Sequence, residues 1–312
     1  VSMEVVGASA AHDEKLGWCL GSRPNMVRRQ GRRGPGDLLV PSAPSRAQAE
    51  LEAAVLSAVT RTMAGMRRRA RALRPTLLVR RVRVDGGPLA LEVPAAAVGD
   101  LLAEVLPAVV GDQLIGIAGV RPAPGREHLD LRVLDGRAAV RLLGVTRSRW
   151  REVAGQLAGN GEPVWRDARH ERHDRERAEP DDRLPVPVLS GVLRRLPLLS
   201  GAAWLTTVVR PDSAELYWRG GPRGEVIAAI LADSCCRIPD TSAVGYALPD
   251  NGVRGVRLSA VEVGGTGWRG EPEWAWGEWL AVTVPGPALL ESAARADAAV
   301  PSGVLPSCGS RT

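Results

Sequence analysis

Residues Leu129–Val153 read LDLRVLDGRAAVRLLGVTRSRWREV, and how they fold decides the class of the protein. Asp135-Gly136 is a strong signal for a tight hairpin turn. Folding the chain back there sets Val133 against Ala138, Leu131 against Val140 and Leu129 against Leu142. These residues then share one face of a strand pair. On the other face Asp130 meets Arg141, an opposite-charge pair across the strands. An accidental sequence would seldom satisfy every pair. The stretch therefore predicts an antiparallel hairpin, followed by a helix that Thr146 caps and that runs to about Ala158.

A competing reading starts from Gly136–Val153, GRAAVRLLGVTRSRWREV. This segment resembles the helix-turn-helix of bacterial DNA-binding domains. The resemblance implies a turn at Leu143, Gly144 and Val145, a recognition helix opening at Thr146-Arg147-Ser148-Arg149, and Trp150 and Val153 facing the core. In that family the recognition helix lies in the major groove. Thr146, Arg147 and Arg149 would then be the DNA-binding residues, with the arginines pairing guanine edges. Val140 departs from the pattern, standing where the family has a small alanine. The two readings exclude each other: if Ala138–Leu143 is a strand, the first helix does not exist.

The same strand–turn–strand–helix pattern recurs outward from this point. Leu77–Val84 alternates, Asp85-Gly86-Gly87 turns, and Leu89, Leu91 and Val93 alternate again. A helix is expected over Ala95–Val110, bent or ended near Pro107. In the second half Trp204–Val209, a Pro211-Asp212 turn and Ala214–Trp218 precede a helix from Gly224 to about Ala232. A looser version runs through Val256–Val263, Trp279–Val284 and Pro287–Ala299. The expected fold is α+β, with two domains built of antiparallel hairpin-plus-helix (ββα) units.

The expected boundaries follow from composition. Residues 1–44 read as a disordered basic tail, because Arg28–Gly36 (RRQGRRGPG) has no apolar period. Residues 45–74 read as an amphipathic helix. Ser45 and Gln48 suit a reciprocal capping box, and Leu51, Val55, Val59, Met63 and Met66 recur at helical spacing. Its end is rich in arginine (Arg67, Arg68, Arg69, Arg71 and Arg74), which suits the negative end of a helix dipole. Residues 75–165 and 184–300 are the two domains. Between them 166–183 (RDARHERHDRERAEPDDR) is a charged linker with too little apolar surface to pack. Residues 301–312 read as a flexible tail.

Composition excludes more chemistry than it supports. Of the 41 basic side chains only Lys15 is a lysine, a bias expected of G/C-rich codons. Phosphate-loop and Schiff-base lysines elsewhere in the chain are therefore out. The glycines Gly265, Gly267 and Gly270 form a GxGxxG string, but Glu271-Pro272 follows where a dinucleotide fold opens a helix. His170 and His173 share a helical face, yet arginines surround them and no third metal ligand is evident. Cys19, Cys235, Cys236 and Cys308 have no CxxC spacing. An enzyme would need a dispersed site, for instance His128 or Cys235 beside a carboxylate in a pocket. Leu101–Val120 is broken by Glu104, Pro107 and Asp112, so no membrane insertion is expected.

The expectation is a cytoplasmic, non-catalytic binding or scaffold protein with no cofactor and no metal. Its partner would be a protein, with nucleic acid as the alternative. Contact residues would be the arginine-rich helix end and Trp274, Trp276 and Trp279, whose large aromatic faces suit an interface.

Overall fold

The computed structural model describes residues 19–21, 38, 40–69, 78–84, 87–134, 136–166, 172–178, 187–209, 213–233, 236–247 and 253–260. The chain divides into units 1–274 and 275–312, and every described residue lies in the first. The fold is α+β, with helices and several antiparallel sheets.

The hairpin reading of Leu129–Leu142 is the one the structure adopts. Strands β1 (Arg81–Arg83), β2 (Leu89–Glu92), β3 (Ala108–Val110), β4 (Gln113–Ile115), β5 (Val120–Pro124), β6 (His128–Val133) and β7 (Ala139–Leu143) make up the first half. β6 and β7 pair antiparallel with Leu129 opposite Leu142, Asp130 opposite Arg141 and Leu131 opposite Val140. The Val133 amide donates to the Ala138 carbonyl at 3.1 Å, closing the turn. Gly136 there has φ 72°, a left-handed conformation that glycine adopts freely. A strand at Ala139–Leu143 removes the first helix of the helix-turn-helix arrangement.

Five of these strands form one sheet in the order β1-β2-β7-β6-β5, antiparallel except where β2 meets β7. β3 and β4 form a separate hairpin. Helix α1 (Arg46–Arg69) precedes the sheet, α2 (Val98–Val105) follows β2, and α3 (Arg147–Leu157) follows β7. The helix expected over Ala95–Val110 is shorter. Val98, Leu101, Leu102 and Val105 bury one helical face, then Leu106 turns extended before Pro107. Ala108–Val110 is strand.

Several elements escaped the sequence reading, short strands and helices among them. β5 is an edge strand despite Pro122 and Pro124, since an edge tolerates missing donors. His128 opens β6. Helix α5 (Pro187–Leu193) packs against α1; it follows α4 (Asp174–Ala178), a single turn inside the charged segment.

The second sheet is wholly antiparallel, in the order β10-β11-β9-β8. Its strands are β8 (Ala202–Val209), β9 (Ser213–Gly220), β10 (Thr241–Ala247) and β11 (Val253–Ala260). Helix α6 (Gly224–Ala232) lies on its core face. There the first residue of α6, Gly224, comes so close to β10 that an added Cβ would meet the Tyr246 amide nitrogen at 2.9 Å.

Helix α1 is more buried than one stripe predicts. Leu51, Val55, Val59 and Met63 are buried, but so are Ala53, Leu56, Ala58, Thr62 and Glu52. The reason is that α1 touches α2, α5 and one strand of each sheet, β7 and β8. The Ser45 cap forms, its Oγ accepting from the Gln48 amide at 3.2 Å. Gln48 does not reciprocate. Its side chain donates to the Ala139 carbonyl at 2.9 Å and accepts from the Ala139 amide at 3.0 Å, standing in for a strand residue beside β7.

Candidate functional site

Among the described residues, charged side chains form three buried clusters. In the first, Glu52 on α1 is fully buried and accepts both Nε (2.8 Å) and Nη2 (2.7 Å) of Arg194. Ser190 donates to the same carboxylate at 2.5 Å, and Gln48 at 2.8 Å. Beside it Arg195 is also buried, and its guanidinium donates only to carbonyls: Cys236, Gly191, Val40 and Arg237. Burial pushes Arg195 down to about 10, which leaves it a cation at neutral pH. The Cys19 thiol bonds to Cys236, and that bond together with burial pushes its pKa far up. A thiol so held is inert. This cluster joins α1, α5 and the 236–237 loop, and its donors are matched by acceptors.

The second cluster sits on the hairpin that decided the fold. Asp130 accepts Arg141 Nε at 2.7 Å and Arg132 Nη2 at 2.9 Å. Burial alone would raise its pKa, but the bonds from Arg141 and Arg132 outweigh it and hold the carboxyl below its usual value. His128 Nε2 stands 3.7 Å from the same carboxylate. Asp130 is thus saturated by cations, a poor setting for a general base.

The third lies in the charged segment 166–183, of which residues 166 and 172–178 are described. Glu176 on α4 is fully buried. It takes Arg121 of β5 in a two-pronged bond (2.8 and 2.7 Å) and the amides of Gly119 (2.7 Å) and His173 (2.8 Å). Burial raises its pKa, and these four bonds more than reverse the effect. A stretch whose one apolar side chain is Ala178 packs here because one carboxylate finds a full set of donors.

The second sheet carries a different kind of group. Ala214, Leu216 and Trp218 of β9 face the core, so Glu215 and Tyr217 face the other way. Tyr217 and Tyr246 are the chain's 2 tyrosines. Their rings meet edge to face, centroids 5.9 Å apart and planes at 75°. Gly255 lies between them in the ladder, and an added Cβ there would meet the Tyr246 ring at 2.6 Å. Tyr217 donates to Glu215 at 2.6 Å, and Arg257 approaches Glu215 at 3.6 Å. Burial, then the bonds with Glu215 and Tyr246, push the Tyr217 phenol far up, so it is a neutral donor. On the same side Val244 is 61% exposed. The signal in sequence was the alternation Glu215-x-Tyr217 against Leu216-x-Trp218; Tyr246 gave none.

The residues singled out from sequence are dispersed. Thr146 caps α3, its Oγ1 accepting from the Arg149 amide at 3.3 Å. Arg147 is exposed, while Arg149 donates to the Ala95 carbonyl at 3.1 Å and pairs with Glu152 at 2.7 Å. Arg67, Arg68 and Arg69 are in α1; their side chains, and Arg71 and Arg74 altogether, lie outside the described residues. So do Trp274, Trp276, Trp279, the 265–270 glycines, His170 and Cys235. A small apolar cavity under the second sheet is lined by Leu196, Leu199, Leu216, Ile227 and Val256, with Arg195 at its wall; His128 is not part of it. Among the described residues no group of three metal-ligating side chains occurs. No helix among them is long and apolar enough to cross a membrane.

No family model, curated protein or solved structure matches this chain.

Proposed function

We propose that this is a non-catalytic binding protein of the cytoplasm, and that it holds a protein partner on the tyrosine-bearing side of its second sheet. The observation that carries the reading is the edge-to-face pair of Tyr217 and Tyr246, braced by Glu215 and Arg257. Tyrosine and arginine dominate the energetics of protein interfaces. Tyrosine presents a large contact area at little entropic cost, and a ring already held by a neighbour loses less on binding. The arginine-rich end of α1 and Trp274, Trp276 and Trp279 remain further proposed contacts.

The test compares the wild-type chain with Tyr217→Ala, each immobilised and exposed to nuclease-treated extract of the source cells. The wild type retains a protein that the variant loses by about tenfold or more. Both melt alike by circular dichroism. Equal retention by the two proteins overturns the reading. Binding of a DNA duplex at low salt that Arg147→Ala abolishes would move it to the nucleic-acid alternative.

A further inference from the structure

Strand alternation gives the first sheet two faces. Val82, Leu91, Val140 and Leu131 point into the core and are buried. The register brings Arg81, Arg83, Arg141, Asp130, Arg132 and Arg121 together on the opposite face. Codon bias accounts for arginine in place of lysine. It does not account for five arginines on one face.

The two signs of charge lie at different depths. Asp130 is 1% exposed, held by Arg132 and Arg141. Those arginines reach solvent, Arg132 with 58% of its side chain and Arg141 with 32%. Asp130 fixes both of them, yet Nη1 of each has no acceptor among the described residues. Arg83 on β1 is exposed and has no partner among the described residues. Arg81 beside it pairs with Glu92 at 3.1 Å, and its Nε–H meets no acceptor. Arg121 is taken by the buried Glu176. Solvent therefore meets four guanidinium groups, against Glu92 as the exposed carboxylate of the face. The remaining side chains of these rows are Ala90, Ala123, Ala139, Leu143 and His128.

We infer that this face binds duplex DNA through its phosphates, without reading bases. From β1 to β5 the sheet is four strand spacings wide, about 19 Å. Its arginines are spread over several phosphates of one duplex, which carries a charge every ~1.7 Å of its axis. The guanidinium fork takes phosphate oxygens two at a time, and a fork already braced by Asp130 loses little freedom on doing so. A single strand gains much of its affinity from bases stacked on aromatic side chains. This face offers one imidazole, so the duplex, with its denser charge, is the better ligand. The chain's net charge of +6 favours the encounter. The inference goes beyond the partner reading and does not need it, because the tyrosines lie on the other sheet.

Fluorescence anisotropy of a labelled, mixed-sequence duplex with the full chain tests it. The wild type binds at low salt, and its affinity falls with salt at a log–log slope of about −3. Arg83→Gln combined with Arg132→Gln lowers affinity about tenfold or more and brings the slope to about −1. Asp130 keeps Arg141 in that variant, so its melt is unchanged. Arg83→Glu, which breaks no bond of the folded chain, weakens binding by itself. Arg147→Ala on α3 and Tyr217→Ala bind as the wild type does, so failure here and failure of partner capture are separate results. A duplex of unrelated sequence binds equally. No binding at low salt overturns the inference, as does binding that survives the double variant, or loss caused by Arg147→Ala. Tighter binding of the single strand overturns it too, and so does poly-glutamate competing as well as the duplex at equal charge, which would assign the face to an acidic protein.

Discussion

Glu176 shows what one carboxylate can do for a segment that composition marks as unable to pack. Its bonds to Arg121, Gly119 and His173 hold the carboxyl below its ordinary pKa in the folded protein. The unfolded chain has no such bonds, so it binds the proton more readily. A depressed carboxyl adds its full stability above the unfolded value of about 4.3. That contribution is lost as pH falls through the lower folded value. Urea unfolding in acid should therefore show the wild type losing stability on the acid side of about pH 5 faster than Glu176→Gln does. The variant is less stable at neutral pH, because the Arg121 guanidinium, with its side chain 12% exposed, keeps its charge and loses its partner. Asp130 has the same sign of shift and acts in both proteins, so the difference between the two curves belongs to Glu176. Parallel acid limbs would mean that the clamp contributes nothing.

Elements were legible in sequence where their evidence was local. The β6–β7 hairpin announces itself because every pairing is local, from Arg132 with Ala139 out to His128 with Leu143. Helix α6 spans Gly224–Ala232 as its composition suggests. β5 was hidden because its prolines argue against a strand, and only its place at the edge reconciles the two. β10 was hidden because TSAVGYA lacks alternation. The tyrosine pair was hidden with it, since half of that site lies on an unread strand. Gln48 is the same lesson at closer range. A capping box predicted its side chain to turn back onto α1, and the Ala139 backbone, 91 positions away, offered both a donor and an acceptor instead. Gln48→Ala should leave both groups without a protein partner and cost about 1–3 kcal/mol. Exchange of the Ala139 amide should speed up by more than that of its neighbours in β7. Ser45→Ala, which removes only the cap, should cost about 1 kcal/mol and leave Ala139 exchange unchanged relative to global stability.

At the scale of the molecule α1 is the element that both sheets share. The sequence suggested two domains, 75–165 and 184–300, with α1 as an amphipathic helix before them. The interior around α1 suggests a tighter dependence. Leu51, Val55 and Val59 belong to one continuous core cluster with Leu131 and Leu142 of the first sheet and Leu205 and Leu216 of the second. Glu52 binds Arg194, while Gln48 binds Ala139. Both side chains sit one turn apart on the same face, and each serves a different half. Such an arrangement couples the halves energetically, because unfolding either one strips buried surface from α1 and uncovers a buried charge. Residues 75–165 expressed without α1 should therefore fail to fold, showing no cooperative melt and fast amide exchange in β6 and β7. Adding residues 40–74 back should restore only part of the protection, since Arg194 and Ser190 would still be missing. The full chain should unfold in urea as a single transition, with tryptophan fluorescence and far-ultraviolet circular dichroism superimposing. Two separated transitions, or a fragment 75–165 that melts cooperatively by itself, would show that each half keeps its own core and that α1 only rests between them.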